Sequence, residues 1–308
     1  MGAMESHGED EEIDKLAEAI GNNLFVSEND SLRAIAAMIE KKKAKKIMVL
    51  AGAGVSVAAG IPDFRTPGTG LYDNLQKYNL PFPEAVFDVG FFTKNPTPFC
   101  TLAKELWPGL THSPTLTHSF LKLLSDRGLL LRAYTQNIDG LEHLAGIPED
   151  KIIECHGHFR SATCTTCDRP AAGEAVKETI LAGNIPECKK CGGYVKPDIV
   201  FFGESLPDRF HRLLKQDRKQ ADLLIIMGTS LQVAPVSLIP NMVSCNRVLF
   251  NREKVLSLKS GDHFIEGDCD ANVEKLCDFL GWKEKLLAQN AKTRIAVGET
   301  EEADNPSD

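Results

Sequence analysis

From Arg160 to Val195 the chain is built of Cys, Gly, Pro and Lys with few large apolar side chains, too few to close a core unaided. A folded segment of that composition needs another tether. Cys164-x2-Cys167, twenty residues, then Cys188-x2-Cys191 supplies one, because this is the four-thiolate zinc pattern at its upper spacing. Each pair offers two sulfurs from one tight turn, and two such turns complete a tetrahedron. Four protein ligands leave no position for water, so Cys164, Cys167, Cys188 and Cys191 are expected to hold one structural zinc. A redox role for the Cys-x-x-Cys pairs is weaker, since there are two of them and neither opens a helix after a strand. Cys100, Cys155, Cys245, Cys269 and Cys277 are scattered and read as free buried thiols. Nine cysteines, an odd number with no secretory signal ahead of them, argue against a disulfide framework.

A second constraint lies at Ile47–Arg65. The apolar run IMVL breaks into AGAGVSVAAGIPDFR, whose glycines let a backbone approach phosphate at the start of a nucleotide-binding β-turn-α unit. Gly52, Gly54 and Gly60 fit G-x-G-x5-G rather than the dehydrogenase spacing. GIPDFR adds an Asp, an Arg and an aromatic that a plain strand-to-helix turn does not need.

Further apolar runs at 129–134, 152–153, 199–202 (IVFF), 223–227 and 247–251 read as strands. A helix at 31–46, ending in lysines, and helices at PDRFHRLLKQDRKQ, VAPVSLIPNMV and around Val273–Leu280 separate or flank them. Continuous apolar strands alternating with helices predict an α/β fold, a parallel sheet covered on both faces. Residues 66 to about 114 are Pro-rich and read as a helical insertion or lid, in which His112 and His118 cap helices or sit on the surface. Ligands bind beyond the carboxyl ends of such strands, which gathers AGAG, TQNID at 135–139, GTS at 228–230 and Asn251 along one edge.

At 308 residues, 43% hydrophobic and 25% charged, the chain can bury a full core. Its net charge of -8 comes from the ends: five acids in 1–12 and five in 298–308, without which the body carries about +2. No electrostatic argument for direct nucleic-acid binding remains. Both ends, 1–28 and 286–308, read as acidic disordered tails. No window approaches a membrane span and no signal-peptide pattern opens the chain, so a cytosolic or nuclear protein is expected. MGAMES formally fits N-myristoylation at Gly2, but a cloning scar before Met4 is the preferred reading.

Taken singly, the polar residues are ambiguous. His156 in ECHGHF reads equally as structural and as a general base, and His158 competes with it, also as a fifth metal candidate. Asn137 and Asp139 alone would make an Asx-turn.

Together, GAGVS at 52–56, GIPDFR, TQNID, His156-Gly157, the two Cys pairs, KPDIVFFGE at 196–204 and GTSLQVAP at 228–235 resemble, in order and spacing, the sirtuins, the silent-information-regulator family of NAD-dependent protein deacylases. The resemblance covers about Leu32 to Trp282, and TGLYDNLQKYNLPFPEAVF is similar to the class I branch. It implies a Rossmann-like catalytic domain at 29–285 and a small domain made of a helical insertion at about 66–128 and a zinc module at about 158–196. It also implies NAD as a consumed co-substrate, with nicotinamide released and the acyl group passed to ADP-ribose.

By the same resemblance Gly52, Ala53, Gly54 and Ser56, with Gly228, Thr229 and Ser230, meet the pyrophosphate side of NAD. Asn251, Glu253 and Cys269 hold its adenosine end. Ile61, Asp63, Phe64 and Arg65 line the nicotinamide side, where Gln136, Asn137 and Asp139 shape the pocket, the last two as catalytic residues beside His156 as base on a ribose hydroxyl. An acetylated or acylated lysine protein, histone- or tubulin-like, would add as a strand along Val200, Phe201, Phe202, Gly203 and Glu204. The desuccinylating branch has a Tyr and, three residues on, an Arg; here Tyr72 is followed by Leu75, so neutral acyl groups are expected. The same pocket could serve a mono-ADP-ribosyltransferase. A zinc-dependent interaction module that keeps NAD only as ligand, and a dehydrogenase, are more distant alternatives.

Overall fold

The computed structural model describes residues 27–303 other than 42, 64–67, 69, 72–74, 76–79 and 110–111, and no side chain from 295 on. Phe64, Arg65, Tyr72, nearly all of the predicted N-terminal tail (1–26) and the last five residues (304–308) therefore lie outside the described residues.

Among the described residues nine strands form two sheets: β1 (Ile47–Ala51), β2 (Leu130–Thr135), β3 (Ile152–Glu154), β4 (Gly157–Cys164), β5 (Pro170–Ala172), β6 (Val195–Ile199), β7 (Leu223–Met227), β8 (Asn246–Asn251) and β9 (His263–Glu266). The larger sheet has the order β3-β2-β1-β7-β8-β9 and every pair in it is parallel. All five residues of β1 and of β7 are buried, as central strands covered on both faces must be. Strand succession reverses between β1 and β7, which opens a crevice at their carboxyl ends.

The helices are α1 (Glu28–Glu40), α2 (Thr97–Leu106), α3 (Leu116–Asp126), α4 (Gly173–Leu181), α5 (Asp208–Gln220), α6 (Cys269–Phe279) and α7 (Lys283–Ala303), with shorter turns between them. On one face of the sheet α1, α3 and α6 bury Ile35, Phe120 and Leu276 against Val49 and Ile225. The other face takes Phe210 of α5 with Val236 and Ile239 against Leu50 and Ile226. A separate core joins the Pro-rich stretch to the Cys-rich one: Phe87, Phe92 and Phe99 pack on Phe159, Val195 and Phe201. Phe99 and Phe201 meet edge-to-face with ring centroids 4.9 Å apart. The expected α/β sheet with a small domain of two insertions is thus present.

Several elements differ from the sequence reading. IVFF does not enter the parallel sheet. Ile199 ends β6, which pairs antiparallel with β4, and Phe202 makes only an isolated bridge to Asp88. The first helix is Glu28–Glu40, because the Ser27 hydroxyl accepts from Asp30 N–H at 3.2 Å and starts it earlier, and Lys43, Lys45 and Lys46 lie beyond its end. Pro235 and Pro240 split the VAPVSLIPNMV segment into two short turns, 236–238 and 239–242. The last helix, α7, carries the chain past 285 to Ala303 and buries Leu286, Asn290 and Thr293, so 286–303 is helix rather than tail. α3 lies within the span assigned to the helical insertion, yet it packs on the large sheet. Among the described residues no helix is long and apolar enough to cross a membrane.

Candidate active site

The carboxyl ends of β1, β2, β7, β8 and β9 open into a cleft of about 740 Å³. Its walls carry Gly52, Ala53 and Gly54 after β1; Gln136 and Asn137 after β2; Gly228, Thr229 and Ser230 after β7; Asn251 and Glu253 after β8; and Cys269 beyond β9. Asp63, His156 and Val200, Phe201, Phe202, Gly203 and Glu204 close it from the small-domain side. Ile61, Ser56 and Asp139 are not on this wall.

The glycine turn works differently from a simple phosphate cradle. Gly52 N–H donates to Met227 O at 3.0 Å and Gly54 N–H to Gly228 O at 2.8 Å, so both amides are engaged within the protein. What the glycines provide is closeness: a Cβ on Gly54 would come within 2.6 Å of Gly228 Cα, a separation no side chain tolerates. Two turns from adjacent strands can therefore sit against each other at the crevice.

Around them runs a polar lattice. Gln136 Nε2 donates to Thr229 Oγ1 at 2.9 Å. Asn137, 5% exposed, donates from Nδ2 to Gly52 O and Ser56 Oγ, both at 3.2 Å. Ser56 Oγ in turn donates to Asp139 Oδ2 at 2.7 Å. Asp139 thus stands behind Ser56 and acts on the cleft only through it. At the other end Asn251 Nδ2 donates to Glu253 O at 2.8 Å and Thr229 O at 3.3 Å, tying the two loops together.

His156 follows β3. Its Nδ1 lies 2.8 Å from the Gln136 carbonyl, an acceptor only, so Nδ1 carries the ring proton and Nε2 holds the lone pair. Nε2 has no partner among the described residues. Burial lowers the imidazole's pKa, outweighing the opposing bond to Gln136 O, and the ring is neutral near pH 7. This is the form a general base needs. Because the ionised form is the one burial disfavours, kcat/KM should be flat through neutrality and fall only on the acid side, below the ordinary histidine value of about 6.5. A pH profile checks this; an acid limb above that value would contradict it.

Gly157 sets the ring's direction. It has φ +75°, and a Cβ there would lie 1.9 Å from Asp198 O on the neighbouring strand. Gly157→Ala must therefore push β4 from β6 beside His156. We expect a loss of about 2 kcal/mol or more, read as a Tm drop of roughly 5 °C, with a fall in activity. His158, the rival histidine, faces a small separate pocket with Glu154 and Arg160, away from the cleft.

Val200 N–H donates to His156 O at 2.8 Å, while Phe202 exchanges backbone bonds with Phe87 O and Val89 N–H at 2.7 and 3.1 Å. Glu204 turns inward: its Oε2 accepts from Phe201 N–H at 2.8 Å and sits 3.0 Å from the buried Lys196 ammonium. Lys196 also donates to Ile199 O at 2.7 Å. Phe201 is buried in the aromatic core and Phe202 is the ring left exposed. Sequence reasoning missed the bracing role of Lys196 and the wall residues Gly267 and Asp268, which follow the unrecognised β9. Arg252, also on the wall, bonds Asp268 at 2.6 Å.

At the far end of the β4–β6 ladder from Gly157, the four metal-type thiols converge within 4.8 Å of one another. Cys164 and Cys191 sulfurs are 3.5 Å apart and Cys167 and Cys188 sulfurs 3.8 Å. Sulfurs about 2.3 Å from one zinc have tetrahedral edges of about 3.8 Å, so the set fits zinc and is too open for a disulfide. Both knuckles close on a left-handed residue, Asp168 at φ 53° and Gly192 at φ 73°. Backbone N–H groups bring the Cys188 thiol down to about 6, favouring the thiolate a metal requires. The remaining five cysteines are free, and four of them are buried.

Residues 52–235 match the model of the Sir2 family. The chain is 50% identical to the NAD-dependent protein deacetylase sirtuin-3 of Mus musculus over 83% of this chain and 78% of the mouse protein. It is 48% identical to the NAD-dependent protein deacetylase hst2 of Schizosaccharomyces pombe over 85% and 80% of the two chains. With the NAD-dependent protein deacetylase sirtuin-2 of Danio rerio it shares 45% identity over 90% and 80%.

Proposed function

The chain belongs to the Sir2 family and is an NAD-dependent protein deacetylase with a structural zinc, and on that premise we propose that His156 is its general base, reached from two sides of one cleft. The single observation that supports this is a neutral, half-buried imidazole whose inaccessible Nε2 lone pair is unpartnered among the described residues, on a cleft shared by the glycine turns and the Val200–Glu204 segment. NAD, when bound, supplies an electrophilic ribose carbon as nicotinamide leaves. The residues of this chain bind, orient and deprotonate around it.

Asp63, with Ile61, Phe64 and Arg65, is assigned to the nicotinamide side. A carboxylate there accepts amide N–H bonds, and apolar neighbours keep water from the reacting carbon. Asn137, braced by Gly52 O and Ser56, orients the ribose. Gly52, Ala53, Gly54, Gly228, Thr229 and Ser230 lie along the pyrophosphate; Asn251, Glu253 and Cys269 hold the adenosine end. His156 Nε2 takes the proton of a ribose hydroxyl and its Nδ1–H stays anchored on Gln136 O.

The acyl-lysine enters between Val200–Glu204 and the Gln232–Pro235 turn, both of which line the cleft. Main-chain pairing gives affinity with little sequence preference, in keeping with histone- or tubulin-like substrates. Leu75 is 3% exposed within the small-domain core, so no cation stands there to hold an acyl carboxylate. Neutral acyl groups are the substrates of this reading, and the cytoplasm, with access to the nucleus, its place of action. Mass spectrometry of acetyl-, myristoyl- and succinyl-lysine peptides incubated with NAD tests it. Acetyl turnover should exceed succinyl turnover by a wide margin; the reverse order would contradict the assignment.

A further inference from the structure

Lys196 stands where lysine is seldom found, 6% exposed, with its ammonium 4.6 Å from the centre of the Phe201 ring. Burying an ammonium is costly unless each of its three N–H groups finds an acceptor. All three do: Ile199 O at 2.7 Å, Pro197 O at 3.3 Å and Glu204 Oε2 at 3.0 Å. Well-packed apolar side chains hold a core at least as firmly as a buried ion pair, so this pair is a weak device for stability alone. What it fixes is geometry.

The acceptors lie on two sides of a bend. Pro197 and Ile199 belong to the end of β6, and Glu204 closes the turn that follows. Glu204 is tied to Phe201 twice, since its N–H donates to Phe201 O at 3.0 Å and its Oε2 accepts from Phe201 N–H at 2.8 Å. Gly203, at φ +93°, takes the left-handed third position of that turn. The Val200 carbonyl and both main-chain polar groups of Gly203 are left without a partner among the described residues. Val200 and Gly203 both line the cleft, whereas Lys196 does not. Unpaired backbone of this kind is what an added strand bonds to, and holding it still beforehand lowers the ordering cost of binding.

We propose that Lys196 and Glu204 are positioning residues for the protein substrate: their ion pair locks the 201–204 turn onto the end of β6 and keeps the Val200 and Gly203 backbone groups ready for the acyl-lysine strand. This rests on the reading above that the substrate enters along Val200–Glu204. Lys196 acts through the turn and not by contact, because it is off the cleft wall. Its loss weakens the peptide and spares NAD, whose glycine turns belong to the large sheet.

Amide hydrogen exchange and steady-state kinetics on the full chain test this. In the wild-type protein an acetyl-lysine peptide should slow exchange over residues 199–204; if it does not, the entry reading fails first and the proposal with it. Lys196→Met leaves unpaired only the Glu204 carboxylate, which water reaches because that side chain is 29% exposed. The variant should exchange the same segment at least about fivefold faster without peptide. It should raise KM for the peptide about tenfold or more, and keep kcat at saturating peptide and Kd for NAD within about threefold. Glu204→Gln keeps an acceptor for Phe201 N–H and Lys196 Nζ, so its rise in KM should be smaller than that of Lys196→Met. If Lys196→Met does not fold, Glu204→Ala takes its place with the same expected changes. Protection by peptide in the wild type together with an unchanged peptide KM in the folded variant overturns the proposal and leaves the entry reading standing. A raised KM with exchange over 199–204 as slow as in the wild type, or an equal loss of NAD affinity, overturns it too.

Discussion

His156→Ala should lower kcat for deacetylation by about 10²–10⁴-fold, the usual contribution of a positioned general base. NAD should still bind, because the glycine turns, Thr229, Asn251 and Glu253 are untouched, and its Kd should shift by no more than a few-fold. The matched control is His158→Ala. That ring lies two residues on and faces the pocket of Glu154 and Arg160, outside the cleft, so its loss should leave kcat nearly unchanged. Steady-state kinetics of the two variants, with NAD affinity by calorimetry, make the comparison. Equal losses in both would mean that the strand end, not the imidazole, matters. Folding of the His156 variant is not in question on this account: Gly157, the Val200-to-His156 backbone bond and β3 do not depend on the ring.

Loss of zinc should be the most damaging change to the fold. The β4–β6 ladder is clamped at one end by the thiols, where Cys164 pairs with Val195, and its other end carries the site, where Gly157 pairs with Ile199. His156 and Val200 are the next residue beyond each strand. Structural zinc in small modules supplies about 10–16 kcal/mol of apparent binding energy, which is folding energy when the segment has little core of its own. Here Phe159, Val195 and Phe201 do belong to a shared aromatic core, so partial structure should survive chelation. Cys188→Ser is expected to carry less than one zinc per chain, to lower Tm by about 10 °C or more, and to reduce activity at least about tenfold through loosening of the ladder. Metal analysis and differential scanning calorimetry read the outcome. A zinc-free variant with unchanged Tm and activity would show that the metal neither holds the ladder nor supports the site.

How much of this was legible in the chain depends on the reach of each signal. Local ones served well: β1 and β7 are uninterrupted apolar runs, and the Cys spacing names its metal before any coordinate. IVFF shows the limit of composition, because an apolar run reports burial and not which sheet it joins. Its strand, β6, is set by pairing with β4 and by the thiols at the ladder's end. β9 was overlooked since HFIE is short and half polar, and with it went the wall residues that follow. Pro235 and Pro240 were visible breakers whose weight was underestimated in a segment otherwise apolar. Ser56, Asn137 and Asp139 were named, yet only the fold orders them into a relay with Asp139 at the back. His118 showed in the sequence only as a cap or surface ring, of which the Thr115 capping box bears out the cap, and nothing there brought it together with Glu142. The two are 24 positions apart, one on a capping turn and one on a short helix after TQNID, and only tertiary packing brings them together.

The central claim is that nicotinamide leaves because an acyl-lysine is present and His156 completes the reaction. NAD labelled in its ADP-ribose half, incubated with the protein with and without acetyl-lysine peptide, tests that directly. The account predicts nicotinamide release only with peptide, equimolar with the deacetylated product, and all label in free acetylated ADP-ribose. Nicotinamide released without peptide, with label fixed to protein, would contradict it and point to ADP-ribosyl transfer from the same cleft.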